Sequence, residues 1–337
     1  MIERFSAIPD LTACLEALLA QVPAGRVTTC GALAEALGNR IAARWVGHWA
    51  LHHPHDAACI CHRILRLGGL LGPFIAGPVE AKRQRLAAEG VVVKDVVDLE
   101  RFAFRDFVSD RPLERLREVQ EAARRRVLVR PRRRIPRLVG GVDAAYPRPG
   151  LGVAAYALVE TETGRLVWSA TVRRRVVFPY VSTYLSFREI PLYLDLLDEV
   201  RRAGRLSEVL LVDGSGILHP RRIGIASHLG VAAGLPTIGV TKKQLCGSVD
   251  VEGMAAGESR PVVCQDGTLG VALRPTAGSR RPIFISPGHR VDVVFCEALV
   301  RRLLRGRRLP EPLAWADRLS KRRLGNGLAD DGAKSAL

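Results

Sequence analysis

The sequence predicts an α/β protein in which a C-terminal mixed sheet flanked by helices follows a smaller, mainly helical unit. Three observations predict it. Residues 8–89 read as helices broken by glycine turns. Strand-like runs then follow one another from Leu138, and beyond Ser186 helical and strand patterns alternate. At 337 residues the chain is also long enough for two cores.

The elements follow in order. Leu11, Cys14, Leu15, Leu18 and Leu19 share one face of a first helix, closed by the turn at 22–25. Thr28 or Thr29 caps a second helix through Leu37, which Gly38 ends, and a third helix begins after Asn39. That pair resembles a helix-turn-helix, so the first unit is expected to be winged-helix-like. A helix over 80–89 follows a Gly/Pro-rich loop. The expected boundary lies in the amphipathic stretch RFAFRDF, giving units 1–104 and 105–325 and a flexible tail, 326–337.

A helix from Pro112 leads into ARRRVLVRPRRRIPR, where two prolines and repeated like charges oppose helix continuation. Strands are expected over 138–142, 151–159 and 166–177, then a helix over 186–202. After them come a strand over 209–212, a helix, a strand over 237–240, late strands around 262–273 and 281–286, and a helix from Val291.

The net charge of +17 is unevenly placed: residues 1–107 carry 12 Lys/Arg against 11 Asp/Glu, and the remainder 39 against 23. A basic excess confined to one region suggests a polyanion partner, with nucleic acid first in line. No apolar run approaches the ~18–20 residues that span a bilayer, and MIERFSAIPD lacks a signal-peptide core. The seven scattered cysteines suit reduced thiols. The expectation is a cytoplasmic chain with no membrane partner, monomeric by preference, and without a nucleotide cofactor, since no phosphate-loop or dinucleotide fingerprint occurs.

Three carboxylates stand in short distinctive strings: Asp143 in VGGVDAAY, Glu189 in PYVSTYLSFRE and Asp213 in LLVDGSGILHPRRIGIASH. Asp143 and Asp213 each close an apolar run followed by small residues, which is how a buried strand delivers an acid to a sheet edge. Acids converging there form a hard-oxygen cage suited to Mg2+ and phosphoryl transfer.

Together with LPTIGVTKKQL and SPGHR, these strings occur in the order seen in the endonuclease V family, which the chain resembles over most of 108–320. The resemblance implies a ribonuclease H-like fold and Mg2+-dependent cleavage (Mn2+ as a substitute) of DNA at the second phosphodiester 3′ to a deaminated base such as hypoxanthine. Inosine-containing RNA is the alternative substrate. It implies that Asp143, Glu189 and Asp213 are metal ligands, that Lys242 and His289 are catalytic residues near the phosphate, and that Tyr180 is a wedge filling the gap left by an extruded nucleotide. Gly214 and Gly216 are expected to let the base approach the backbone, with His219 beside them.

The N-terminal strings VPAGRVTTCGALAEALG, AARWVG, CICHRI and RLAAEG resemble, in order, the O6-alkylguanine-DNA alkyltransferase and alkyltransferase-like family. That resemblance implies binding to O6-alkylguanine in DNA. It makes Cys61 the alkyl acceptor, His62 its base, Glu89 the orienting acid and Arg44 the residue filling the flipped base's space. Three positions depart from the family pattern: Ile60 for proline, Cys30 for tyrosine and His53 for asparagine. A non-catalytic lesion sensor is therefore the competing reading. His52, His53, His55, Cys59, Cys61 and His62 also crowd soft ligands together, although their spacing fits no standard zinc motif.

Overall fold

A computed structural model describes residues 8–56, 58–265 and 267–322; the expected tail, 326–337, lies outside them. Helix α1 (Leu11–Leu19) begins where the Asp10 carboxylate accepts from the Thr12 and Ala13 N–H groups. Strand β1 (Thr28–Thr29) ends on the cap of α2 (Cys30–Ala36), where the Thr29 hydroxyl accepts from the Ala32 N–H. Asn39 caps the short 3-10 turn Arg40–Ala42, which runs into α3 (Ala43–His52). Strand β2 (Ile64–Leu65) pairs parallel with β1, and α4 (Val79–Ala88) and α5 (Leu99–Phe102) complete this helical unit.

Helix α6 (Pro112–Arg124) follows, and residues 127–136 after it form neither helix nor strand, in keeping with their two prolines. The large sheet is built from β3 (Leu138–Arg148), β4 (Leu151–Glu160), β5 (Leu166–Arg175), β6 (Leu210–Asp213), β7 (Thr237–Thr241), β8 (Ser259–Cys264), β9 (Gly267–Leu273) and β10 (Ile283–His289). Its order is β5-β4-β3-β6-β7-β10-β9-β8. Strands β3, β6 and β7 are mutually parallel, and β4 runs against β3 and β5. These five strands form the ribonuclease H-like core, and the β10-β9-β8 meander extends it. The single late strand expected around 262–273 is two strands, reversed at Gly267 with φ +104°, a conformation open to glycine.

Strand alternation supplies both faces of the sheet. Val142, Leu210 and Val212 pack under α7 (Leu185–Arg202) and α8 (Ile225–Ala233). Val139, Val209 and Leu211 pack under α9 (Val293–Leu303), joined by Leu313 of α10 (Glu311–Lys321). A third cluster crosses the expected boundary: Leu33, Leu37 and Val46 share a core with Leu113, Leu116, Phe178, Val181 and Tyr184. The two units are thus joined through apolar packing as well as through the chain.

Candidate active site and N-terminal pocket

Because β3 and β6 are parallel, with Val142 opposite Val212, Asp143 and Asp213 come side by side where that pairing stops; β6 ends at Asp213, whereas β3, expected to close at Val142, runs on to Arg148. Glu189 points at them from the first turns of α7: burial and then Asp143 push its carboxyl up to about 8, and its Oε2 accepts from the Tyr193 hydroxyl at 3.1 Å. Burial, followed by Asp213 and Asp317, pushes Asp143 up to about 7, and burial also raises Asp213, which Lys242 opposes from 3.4 Å. Asp317 is a fourth acid that the sequence reading missed. It lies on α10, where Ser320 reaches Asp143 Oδ2 at 3.5 Å and Lys321 pairs with Asp317 at 2.5 Å. Its signal is the i, i+3, i+4 spacing of Asp317, Ser320 and Lys321 on one helix face.

Burial raises all three carboxyls, and neighbouring acids add to it. An all-oxygen set of this kind fits a hard divalent cation.

Beside the acids lies a cavity of about 270 Å³, lined by Tyr180, Asp213, Gly214, His219, Ile225 and Lys242. That is below the ~300–1,000 Å³ of drug-sized sites and suits something the size of one base. Gly214 has φ +148°, and a Cβ there would meet Ile225 Cγ2 at 2.3 Å. Tyr180 stands 64% exposed at the rim, so it does not serve as core packing. The loop behind it is held by several groups. Thr183, at φ +67°, receives Arg221 Nη2 at its carbonyl (2.7 Å) and hydroxyl (2.8 Å) and Gln120 Nε2 at its carbonyl (3.0 Å). Burial, reinforced by Arg221, lowers His219 to about 3, so its ring is neutral, and its Nδ1 accepts from the Arg221 N–H.

Two expectations need correction. His289 pairs with Thr237 at the start of β7, whereas Asp213 pairs with Val240 near its end. The two side chains therefore sit about 10 Å apart along the strands alone, at ~3.3 Å per residue. His289 Nδ1 instead accepts from the Leu128 N–H at 3.2 Å, beneath the arginine-rich segment. That segment crosses the sheet at the end away from the acids because it must enter β3 at its N-terminus; Arg132 pairs there with Glu208. The antiparallel course of β10 carries SPGHR away from the site. Gly216 also stands outside the cavity lining: a Cβ there would lie 2.0 Å from the Pro287 carbonyl oxygen, so it permits close backbone packing rather than base access.

In the helical unit, His62 Nε2 and Glu89 Oε1 are 2.8 Å apart, and Arg63 also clamps this carboxylate, at 2.7 Å. The other limb of the expected relay is different. Cys61 Sγ lies 3.7 Å from His55 Nδ1, and buried His62 Nδ1 has no hydrogen-bond partner among the described residues. Burial and then Cys59 push the Cys61 thiol up to about 12, and burial lowers His62, so neither group is poised to make a thiolate unaided. Cys61 and Arg44 both line a larger cavity, of about 1350 Å³, together with Cys30, Lys82 and Phe74.

Comparison with known proteins agrees with both halves. The family model described as Endonuclease V matches residues 121–318, and that of the 6-O-methylguanine DNA methyltransferase DNA-binding domain matches residues 12–91. Endonuclease V of Nostoc punctiforme is 36% identical over 219 residues, covering 64% of this chain and 97% of that protein. The crystal structure of the human endonuclease V catalytic domain aligns with TM-score 0.58 at 32% identity, covering 64% of this chain and 96% of that one. The Ciona intestinalis enzyme, crystallised with DNA containing an inosine followed by a ribo-adenosine, aligns with TM-score 0.57 at 26% identity over 64% and 97%. The chain belongs to the endonuclease V family, with an alkyltransferase-type DNA-binding unit fused ahead of the nuclease.

Proposed function

We propose that this endodeoxyribonuclease nicks DNA at the second phosphodiester 3′ to a deaminated base, hypoxanthine first, with Mg2+ held by Asp143, Glu189, Asp213 and Asp317. Its endonuclease V relatives support a DNA-repair nuclease acting on deaminated bases. The observation that carries the finer reading is the convergence of four acids beside a base-sized cavity. When bound, Mg2+ supplies an acidified water and charge neutralisation at the leaving oxygen. Lys242, beside Asp213, offers a point cation to the scissile phosphate. Tyr180 fills the gap left by the extruded nucleotide, which the cavity at Gly214 receives. Neutral His219 braces the cavity wall. Arg148 and Arg175 end β3 and β5 on the acid side of the sheet, with Arg173 two residues before Arg175, and are placed to hold phosphates without reading sequence.

The test is a labelled duplex with one inosine, incubated with Mg2+ or EDTA beside the Asp143→Ala protein. A single nick one nucleotide beyond the inosine, absent from both controls, is the expected result. No nick in DNA, with cleavage of inosine-containing RNA, would transfer the activity to RNA.

For the N-terminal unit, the reading is recognition of O6-alkylguanine in DNA. The thiol of Cys61 faces His55 and Cys59 rather than His62, and this favours recognition over alkyl transfer. A methylated Cys61 peptide after incubation with O6-methylguanine DNA would restore transfer; unchanged mass with retained binding is expected.

A further inference from the structure

Four side chains that the nuclease does not use converge where the chain leaves α3. The ligand atoms of His53, His55, Cys59 and Cys61 all lie within 4.8 Å of one another. One contact already has coordination spacing, His55 Nδ1 to Cys61 Sγ at 3.7 Å, and His53 Nε2 to Cys59 Sγ, at 3.1 Å, is slightly closer than it. A tetrahedron built on Zn–N and Zn–S bonds of ~2.0–2.3 Å has edges of about 3.3–3.8 Å, so an ion fits with small side-chain adjustments.

The surroundings agree with this arrangement. His53 Nδ1 lies 3.0 Å from the Trp49 carbonyl, which can only accept a hydrogen bond. The ring proton therefore sits on Nδ1, and the Nε2 lone pair faces the cluster, the outer-sphere pattern of a metal-bound histidine. His55 Nε2 is buried without a hydrogen-bond partner among the described residues, so the outer-sphere bond is made by His53 and not by His55. Residues 53–60 form neither helix nor strand where described.

Two thiols and two imidazoles make a soft-to-borderline set that selects zinc over the hard cation of the nuclease site. With four protein ligands and no open position, the set matches structural rather than hydrolytic zinc.

We propose that His53, His55, Cys59 and Cys61 bind one zinc ion, pinning the 53–61 loop to α3 and holding Cys61 as a metal ligand. Binding releases the two thiol protons to solvent, leaving both sulfurs as thiolates. The inference deepens the recognition reading of this unit: the sulfur at the wall of the large cavity is committed to a metal instead of being free to accept an alkyl group.

Zinc content of the full-length protein, measured after purification under reducing conditions and dialysis, tests this. About one zinc per chain is expected in the wild type and in Asp143→Ala, and almost none in Cys59→Ser/Cys61→Ser. Cobalt titration of the zinc-stripped wild type is independent of any variant's folding. It should give thiolate-to-cobalt charge transfer and tetrahedral d–d bands, which shift in His55→Ala. Zinc-free protein without cobalt–thiolate bands would overturn the proposal, as would bands unchanged in the double serine variant, or a Cys59–Cys61 disulfide in freshly reduced protein. Binding to an O6-methylguanine duplex is recorded on the same samples. Binding without zinc sinks this inference and leaves recognition standing; zinc without binding does the reverse.

Discussion

Asn39 and Tyr184 join the two halves of the chain: the Asn39 amide donates to the Tyr184 hydroxyl at 2.9 Å, and that hydroxyl donates to the Leu113 carbonyl at 3.1 Å. Asn39 also caps the turn that enters α3, and Tyr184 is fully buried four residues after Tyr180. The helix-turn-helix and the loop presenting Tyr180 are thereby fixed relative to each other. Arg221 adds to this junction, its guanidinium 4.5 Å from the Tyr184 ring centre. A duplex engaged by one element therefore meets the other at a set distance.

Tyr184→Phe leaves the Asn39 amide without this acceptor and removes the second bond at the Leu113 carbonyl, and should cost about 1–3 kcal/mol. Urea unfolding of Tyr184→Phe, Asn39→Ala and the double variant measures the coupling, expected at about 0.5–3 kcal/mol. Strictly additive losses would show that the bond does not tie the halves together.

Tyr180→Ala should change stability by no more than about 0.5 kcal/mol, because an exposed side chain is removed. Nicking of inosine should fall further in duplex than in single-stranded DNA, where no stack needs to be opened. Equal losses on both substrates would remove the wedge role.

Asp317→Asn should slow nicking about 100-fold or more, as expected for loss of several kcal/mol of metal-assisted charge stabilisation, and should raise the Mg2+ concentration required. His289→Ala should leave the Mg2+ requirement unchanged and cost about 1–3 kcal/mol of stability, since the Leu128 N–H loses its acceptor. Mg2+ titrations of nicking rate separate the two; a raised requirement in His289→Ala would return that residue to the site.

These contrasts mark what was legible in the sequence. Asp213 was readable because an apolar run fixes β6 and the next residue is its end; Asp143 was placed beside it by the same pattern, although β3 runs on to Arg148 and only its pairing with β6 stops there. The distance between sheet ends is not readable: the Pro287–His289 string looks like a site motif, but the antiparallel course of β10 sends it to the opposite end. Asp317 was hidden for a related reason. An amphipathic terminal helix shows which face is apolar, but not that its polar edge ends over β3. The docking of the two units was half visible: RFAFRDF was too amphipathic for a linker, and Phe104 and Phe107 do pack against the shared core.

The Glu89 clamp gives the clearest dependence on pH. Burial acts to raise this carboxyl, but hydrogen bonds from Arg63 and His62 outweigh it and hold the pKa below the ordinary 4.5. Below 4.5 the unfolded chain takes up a proton that folded Glu89 still refuses, so the contribution is full above that value and lost as pH falls through the folded pKa. In Glu89→Gln the carboxylate is gone and this term with it. The stability gap between wild type and Glu89→Gln, read from urea midpoints at stepped pH, should shrink as pH falls below 4.5. A gap that stays constant into acid would mean that Arg63 and His62 hold Glu89 no more tightly than water does.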